Sequence, residues 1–238
     1  MSMHLLLFSN SRSPDGSYLT HAREPLRALA GERRKTLFVP FAGVTTSWDD
    51  YTANVGKSLA PLGLELTGAH TVDAGAADRY DLILVGGGNT FQLVAECRRR
   101  GWLQAIAQRV RAGTPYSGWS AGANLACPTL CTTNDMPIVD PGGFDALGLI
   151  GFQINPHYTN ALPAGHQGET RNDRIAEFLV ANPAATVVGL PEGDWLAGDG
   201  KRMTFHGPHA GYVFRHGQAP VELRDGMAVD QAALPNPR

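Results

Sequence analysis

The feature that most constrains the fold is an alternation. Short apolar runs at residues 5–8, 36–41, 82–85, 115–119, 152–155 and 186–190 alternate with longer segments at 48–59, 90–100, 103–111 and 170–181, whose apolar residues recur at three- and four-residue spacing. Runs this short and this rich in apolar residues read as buried strands, and the periodic segments read as the helices that cover them. Two of those helices stop at Gly101 and Gly113, where a left-handed C′ residue is expected. The pattern predicts a parallel α/β sheet with helices on both sides. After Trp195 it changes to short strand-like pieces at 203–205, 212–214 and 221–223, read as a small antiparallel extension at one edge. With 238 residues and 43% hydrophobic content the chain can bury one full core, so a single domain over 1–238 is expected, with 230–238 as a frayed tail.

Charge and cysteine usage narrow the function classes. The formal charge is −2, and no basic run is longer than the three residues Arg98, Arg99 and Arg100. That argues against nucleic acid or a membrane surface as partner, and the arginine triple reads as the solvated end of a helix. Cys97, Cys127 and Cys131 include no C-x-x-C pair, which gives neither a disulfide framework nor a zinc site. The apolar start at 5–8 is too short for a signal-peptide core, and no stretch reaches membrane-spanning length. The expected location is cytoplasmic, with no cofactor and no metal; a homo-oligomer is left open.

In an open parallel sheet ligands bind beyond the carboxyl ends of the strands. Four such junctions carry reactive groups: Gly86-Gly87-Gly88-Asn89-Thr90, Gly118-Trp119-Ser120-Ala121-Gly122, Asn155-Pro156-His157-Tyr158 and Pro191-Glu192-Gly193-Asp194. The second fits G-x-S-x-G between a strand and a helix, the context of a nucleophile elbow. Its glycines relieve the crowding around a side chain thrust from a sharp turn. The helix starting near Ala121 aims free amides and a positive dipole end at the reacting carbon.

A serine needs a base, and His157 is the histidine that follows a buried-strand pattern at that edge. The imidazole needs an acid, for which two residues stand open. Asp135 gives the chain order Ser, Asp, His; Glu192 directly follows a strand and so has the more rigid mount. Gly88 N–H is expected to share an oxyanion hole with Ala121 N–H. Thr90 is read both as a helix N-cap and as part of the substrate site. The histidines at 206 and 209 lie in a Gly/Pro loop with no carboxylate at ligand spacing.

Together, Val85-Gly-Gly-Gly-Asn-Thr-Phe-Gln92, Gly118-Trp-Ser-Ala-Gly-Ala-Asn-Leu-Ala126, Thr133-Asn-Asp-Met-Pro137, Asn155-Pro-His157 and Leu190-Pro-Glu-Gly193 resemble the peptidase E family, five motifs in order from about residue 38 to 194. The resemblance implies a three-layer sandwich related to class I glutamine amidotransferases and a metal-independent serine peptidase that cleaves dipeptides with an N-terminal aspartate. It matches nucleophile and base to Ser120 and His157, and leaves the acid as Asp135 or Glu192. An aspartyl side chain requires a cation, for which Arg171 is the first choice and Arg174 the alternative. The substrate α-amino group requires acceptors such as Asp135 or Asn89. The rival readings are a hydrolase of another aspartyl amide, cyanophycinase-like, and a non-catalytic protein that binds a small acid.

Overall fold

The structure, a computed structural model, describes residues 2–162, 164, 165 and 167–229; the tail at 230–238 lies outside the described residues. Along the chain the strands are β1 Leu5–Phe8, β2 Lys35–Val39, β3 Glu65–Gly68, β4 Leu82–Val85, β5 Tyr116–Trp119, β6 Gln153–Pro156, β7 Thr186–Leu190, β8 Trp195–Gly198, β9 Met203–His206, β10 Gly211–Arg215, β11 Val221–Leu223 and β12 Ala228–Val229. The helices are α1 Arg23–Ala30, α2 Trp48–Leu59, α3 Thr90–Arg99, α4 Trp102–Arg111, α5 Ala121–Leu125 and α6 Arg171–Ala181.

The larger sheet has the order β12-β9-β8-β1-β5-β4-β2-β3, parallel from β1 to β3 and antiparallel from β8 outward. Its pleat sorts side chains by parity. Leu5, Leu7, Val39, Ile83 and Val85 point into one cluster with Val94, Trp102 and Ile106. Leu6, Phe8, Phe38, Leu84 and Trp119 point into the other with Leu26 and Val55. These are the two faces of a three-layer sandwich, and every residue of β1, β4 and β5 is buried.

One expectation changes. The runs at 152–155 and 186–190 do not extend the main sheet: β6 and β7 pair in parallel in a second sheet, β11-β10-β7-β6. The reason is the edge of β1, which has room for one partner and takes β8 in antiparallel register immediately after β7. The antiparallel extension is accordingly split, with β8, β9 and β12 on the large sheet and β10 and β11 on the small one. The small sheet buries Ile154, Val188 and Val213 in the main cluster, and Val187 and Phe214 under Ile175 and Leu179 of α6.

The arginine triple is more than a solvated end. Arg98 donates to the carbonyls of Pro141, Gly143 and Asp145, and the Arg100 guanidinium lies 5.2 Å from the Phe41 ring centroid and 5.0 Å from that of Trp48.

Of the three free thiols, Cys97 and Cys127 are fully buried and Cys131 is exposed. Burial raises the Cys97 thiol far above its usual range and pushes Cys127 up to about 12. A disulfide reagent at pH 8 should therefore release one equivalent of product from the native protein, none from Cys131→Ser and three from the unfolded wild type. Rapid labelling of a second native thiol would contradict this packing.

Candidate active site

Ser120 follows β5 directly, with φ 53° and ψ −113°. A non-glycine residue held there stores about 1–3 kcal/mol of strain, which the surroundings must over-determine. They do so by close packing. A Cβ on Gly118 would come 2.2 Å from the Gly122 carbonyl oxygen, and one on Gly122 would come 2.3 Å from that of Val85. The turn closes only because neither residue has a side chain. Ser120 N–H donates to the Phe8 carbonyl at 3.1 Å, tying the elbow to β1.

From this perch Ser120 Oγ lies 2.9 Å from His157 Nε2, and His157 Nδ1 lies 2.6 Å from Glu192 Oε1. Since a carboxylate can only accept, Nδ1 carries the proton and Nε2 offers its lone pair to the serine hydroxyl. His157 follows β6 and Glu192 follows β7, so the parallel pair of the small sheet brings the imidazole and the carboxylate side by side. The site is open: the His157 side chain is 40% exposed and that of Glu192 64%.

Asp135 lies elsewhere in the network. Its Oδ2 accepts from Thr90 N–H at 2.7 Å, Thr90 Oγ1 at 2.6 Å and Thr133 Oγ1 at 2.9 Å, and among the described residues it makes no bond to His157. The helix cap is Asn89 rather than Thr90. Asn89 Oδ1 accepts from Gln92 N–H at 3.1 Å, and its Nδ2 donates to the Met136 carbonyl at 2.9 Å. Thr90 is the first residue of α3. Asn89, Thr90 and Asp135 thus fasten the 133–136 loop to the start of α3.

Gly88 has φ 133°, and a Cβ there would sit 2.2 Å from the Ala42 carbonyl oxygen. Neither Gly88 N–H nor Ala121 N–H has an acceptor among the described residues, so both amides remain available. The helix after Ser120 has five residues and little dipole to contribute, which leaves the Ala121 amide itself as its offering. Beneath Gly88, Tyr51 Oη donates to the Gly87 carbonyl at 3.0 Å, with Trp119 Nε1 at 3.3 Å and Tyr18 Oη at 3.2 Å. Burial raises the Tyr51 phenol well above its usual range, so it stays a neutral donor.

Arg171 begins α6 and lines a cleft of about 240 Å³ with Thr133, Asn134, Asn155 and Phe178. Partial burial lowers its guanidinium from the ordinary value, and among the described residues it makes no ion pair. Arg174 lines the same cleft but is exposed and engaged with Glu169 at 2.9 Å and Glu177 at 3.4 Å, so of the two Arg171 is the one without an ion pair among the described residues. Folding also brings carboxylates that spacing does not reveal to His206 and His209: Asp225 at 3.3 Å and Asp194 at 3.2 Å. Among the described residues no group of three or more His, Cys, Asp or Glu could hold a metal.

Residues 5–206 match the sequence profile of peptidase family S51. Peptidase E of Escherichia coli K12 / DH10B is 54% identical over 226 residues, covering 94% of this chain and 99% of that protein. Peptidase E of Shigella boydii serotype 18 matches with the same identity and coverage. Two crystal structures share the fold. A peptidase from an acI-B1 actinobacterium has a TM-score of 0.70 at 18% identity, covering 97% of each chain. A peptidase E candidate from Listeria monocytogenes EGD-e has a TM-score of 0.65 at 24% identity, covering 88% of this chain and 100% of that one.

Proposed function

From membership of peptidase family S51, to which this chain belongs as a serine-type peptidase, we infer a dipeptidase that hydrolyses Asp-Xaa through an acyl-enzyme on Ser120. The observation that carries this reading is the unbroken hydrogen-bond chain from Ser120 through His157 to Glu192. His157 Nε2 takes the Ser120 proton as Oγ attacks the aspartyl carbonyl, and Glu192 keeps the ring in the productive tautomer. The Gly88 and Ala121 amides hold the developing oxyanion. His157 then returns the proton to the leaving amine, and water, deprotonated by the same imidazole, releases aspartate. In this scheme Asn89 and Thr90 act indirectly, through the loop they fasten. Asp135 keeps Oδ1, which accepts no protein hydrogen bond among the described residues, for the substrate α-amino group.

Arg171 is the proposed partner of the aspartyl carboxylate. Removing a bidentate clamp of this kind costs on the order of 2–3 kcal/mol, about 30- to 150-fold. Arg171→Met should lower kcat/KM for Asp-Leu by that factor and leave any slow turnover of Asn-Leu nearly unchanged. Equal losses on both substrates would defeat the assignment. A parallel assay with β-linked Asp-Leu decides between an α-aspartyl dipeptidase, which spares it, and a hydrolase of another aspartyl amide. The location we propose is the cytoplasm, whose reducing conditions suit the three unpaired thiols, and the unit we propose is a single catalytic domain; among the described residues no helix is long and apolar enough to cross a membrane.

A further inference from the structure

Ser120 belongs to one sheet and His157 with Glu192 to the other, so the hydrogen-bond chain exists only while the two sheets keep one offset. The residues at the end of β1 touch every arm of it. Phe8 receives the Ser120 amide, as described. Ser9 Oγ accepts from His157 N–H at 2.8 Å and donates to the Leu190 carbonyl at 2.8 Å, so one hydroxyl spans the ends of β6 and β7. Ser9 N–H donates to the Asp194 carbonyl at 3.0 Å. Asn10 Oδ1 accepts from Gly193 N–H, adjacent to Glu192, at 2.8 Å, while its Nδ2 donates to the Arg12 carbonyl at 2.6 Å. Both side chains are buried, at 0% and 4% exposure, so these bonds do not compete with water.

The backbone supplies a second reason for the brace. His157 sits at φ 54°, a conformation that a residue with a Cβ leaves unless something holds it. The amide of that same residue is the one bonded to Ser9. We propose that Ser9 and Asn10 are positioning residues that lock the base-bearing and acid-bearing strand ends against the nucleophile. The proposal rests on the reading of Ser120, His157 and Glu192 as nucleophile, base and acid. Ser9 and Asn10 touch no reacting atom and act through His157 and Glu192.

The test compares Ser9→Thr with Ser9→Val. Both add one branch in a closed space, so packing strain is shared and the hydroxyl alone differs. Assayed on Asp-Leu well below the melting temperature of either variant, the valine form should show kcat about 10- to 100-fold below the threonine form, the cost of an ångström-scale misplacement, with KM within about twofold. The same ratio should appear in the rate at which a fluorophosphonate labels Ser120. Equal kcat and equal labelling would overturn the brace. Should neither Ser9 variant fold, Asn10→Ala takes over: a tenfold or greater fall in kcat at unchanged KM supports the brace, and wild-type kcat overturns it. Ser120→Ala run in the same series separates the two levels, because activity surviving there removes the triad itself, whereas an inactive Ser120→Ala beside equal Thr and Val forms removes only the brace.

Discussion

Ser120→Ala should lower kcat/KM for Asp-Leu by about 10⁴- to 10⁶-fold, with chelator present in both assays and the fold intact. The magnitude follows from what the variant retains. On the proposed mechanism the Gly88 and Ala121 amides and Arg171 would still bind and polarise the substrate, but water would replace a hydroxyl already 2.9 Å from the imidazole. Stability should change little, because alanine adopts φ 53° no more readily than serine does and, among the described residues, the Ser120 hydroxyl bonds only to the partly exposed His157. Aspartate release is the measurement. A variant that keeps a tenth of wild-type activity would mean that another group attacks the carbonyl.

The second large effect separates the two acids. Glu192→Gln keeps the shape of the side chain but can present its amide to Nδ1, favouring the tautomer that points a proton at the serine. In a fully buried triad such a change costs about 10⁴. Here Glu192 is 64% exposed, so water can replace much of what is lost and about 10² in kcat is expected. Asp135→Asn retains an oxygen for Thr90 and Thr133 and should cost less than about tenfold, mostly in KM through the loop and the amine contact. Full kinetics for both variants decide the matter: a larger kcat loss in Asp135→Asn would reverse the roles assigned to the two carboxylates.

Much of this was legible in the sequence because the relevant signals are local. The strands at 5–8, 82–85 and 186–190 and the helix at 48–59 carry their boundaries in their own composition, and the glycines at 101 and 113 take the left-handed conformation expected after a helix. Other elements were not legible. Helix α1 hides behind Pro25, tolerated because it falls in the first turn. Strand β3 is a half-exposed edge of four residues with little apolar content. The division into two sheets depends on which strand claims the free edge of β1, a competition that no apolar run records. Ser9 and Asn10 stand just beyond the carboxyl end of the first strand, as the four reactive junctions stand beyond theirs, and that position is the signal that could have found them. Their chemistry is unremarkable until the topology places two other strand ends beside them. Asn89 and Thr90 show the converse: adjacent cap-forming residues both fit the start of a helix, and only the contacts of each side chain tell which one caps it.

The split of the reactive groups between two sheets also has a consequence for the chain as it is made. The proposed nucleophile, base and acid arrive in that order at positions 120, 157 and 192, and strand β10, which flanks β7, comes later still. At a synthesis rate of about 5–20 residues per second, several seconds separate emergence of the serine from completion of the sheet that carries its base. During that interval the elbow can form on β5 with nothing to take its proton. On the roles proposed above, catalytic competence would be reached only when the C-terminal third has docked, and a half-made chain would carry a serine hydroxyl without its base.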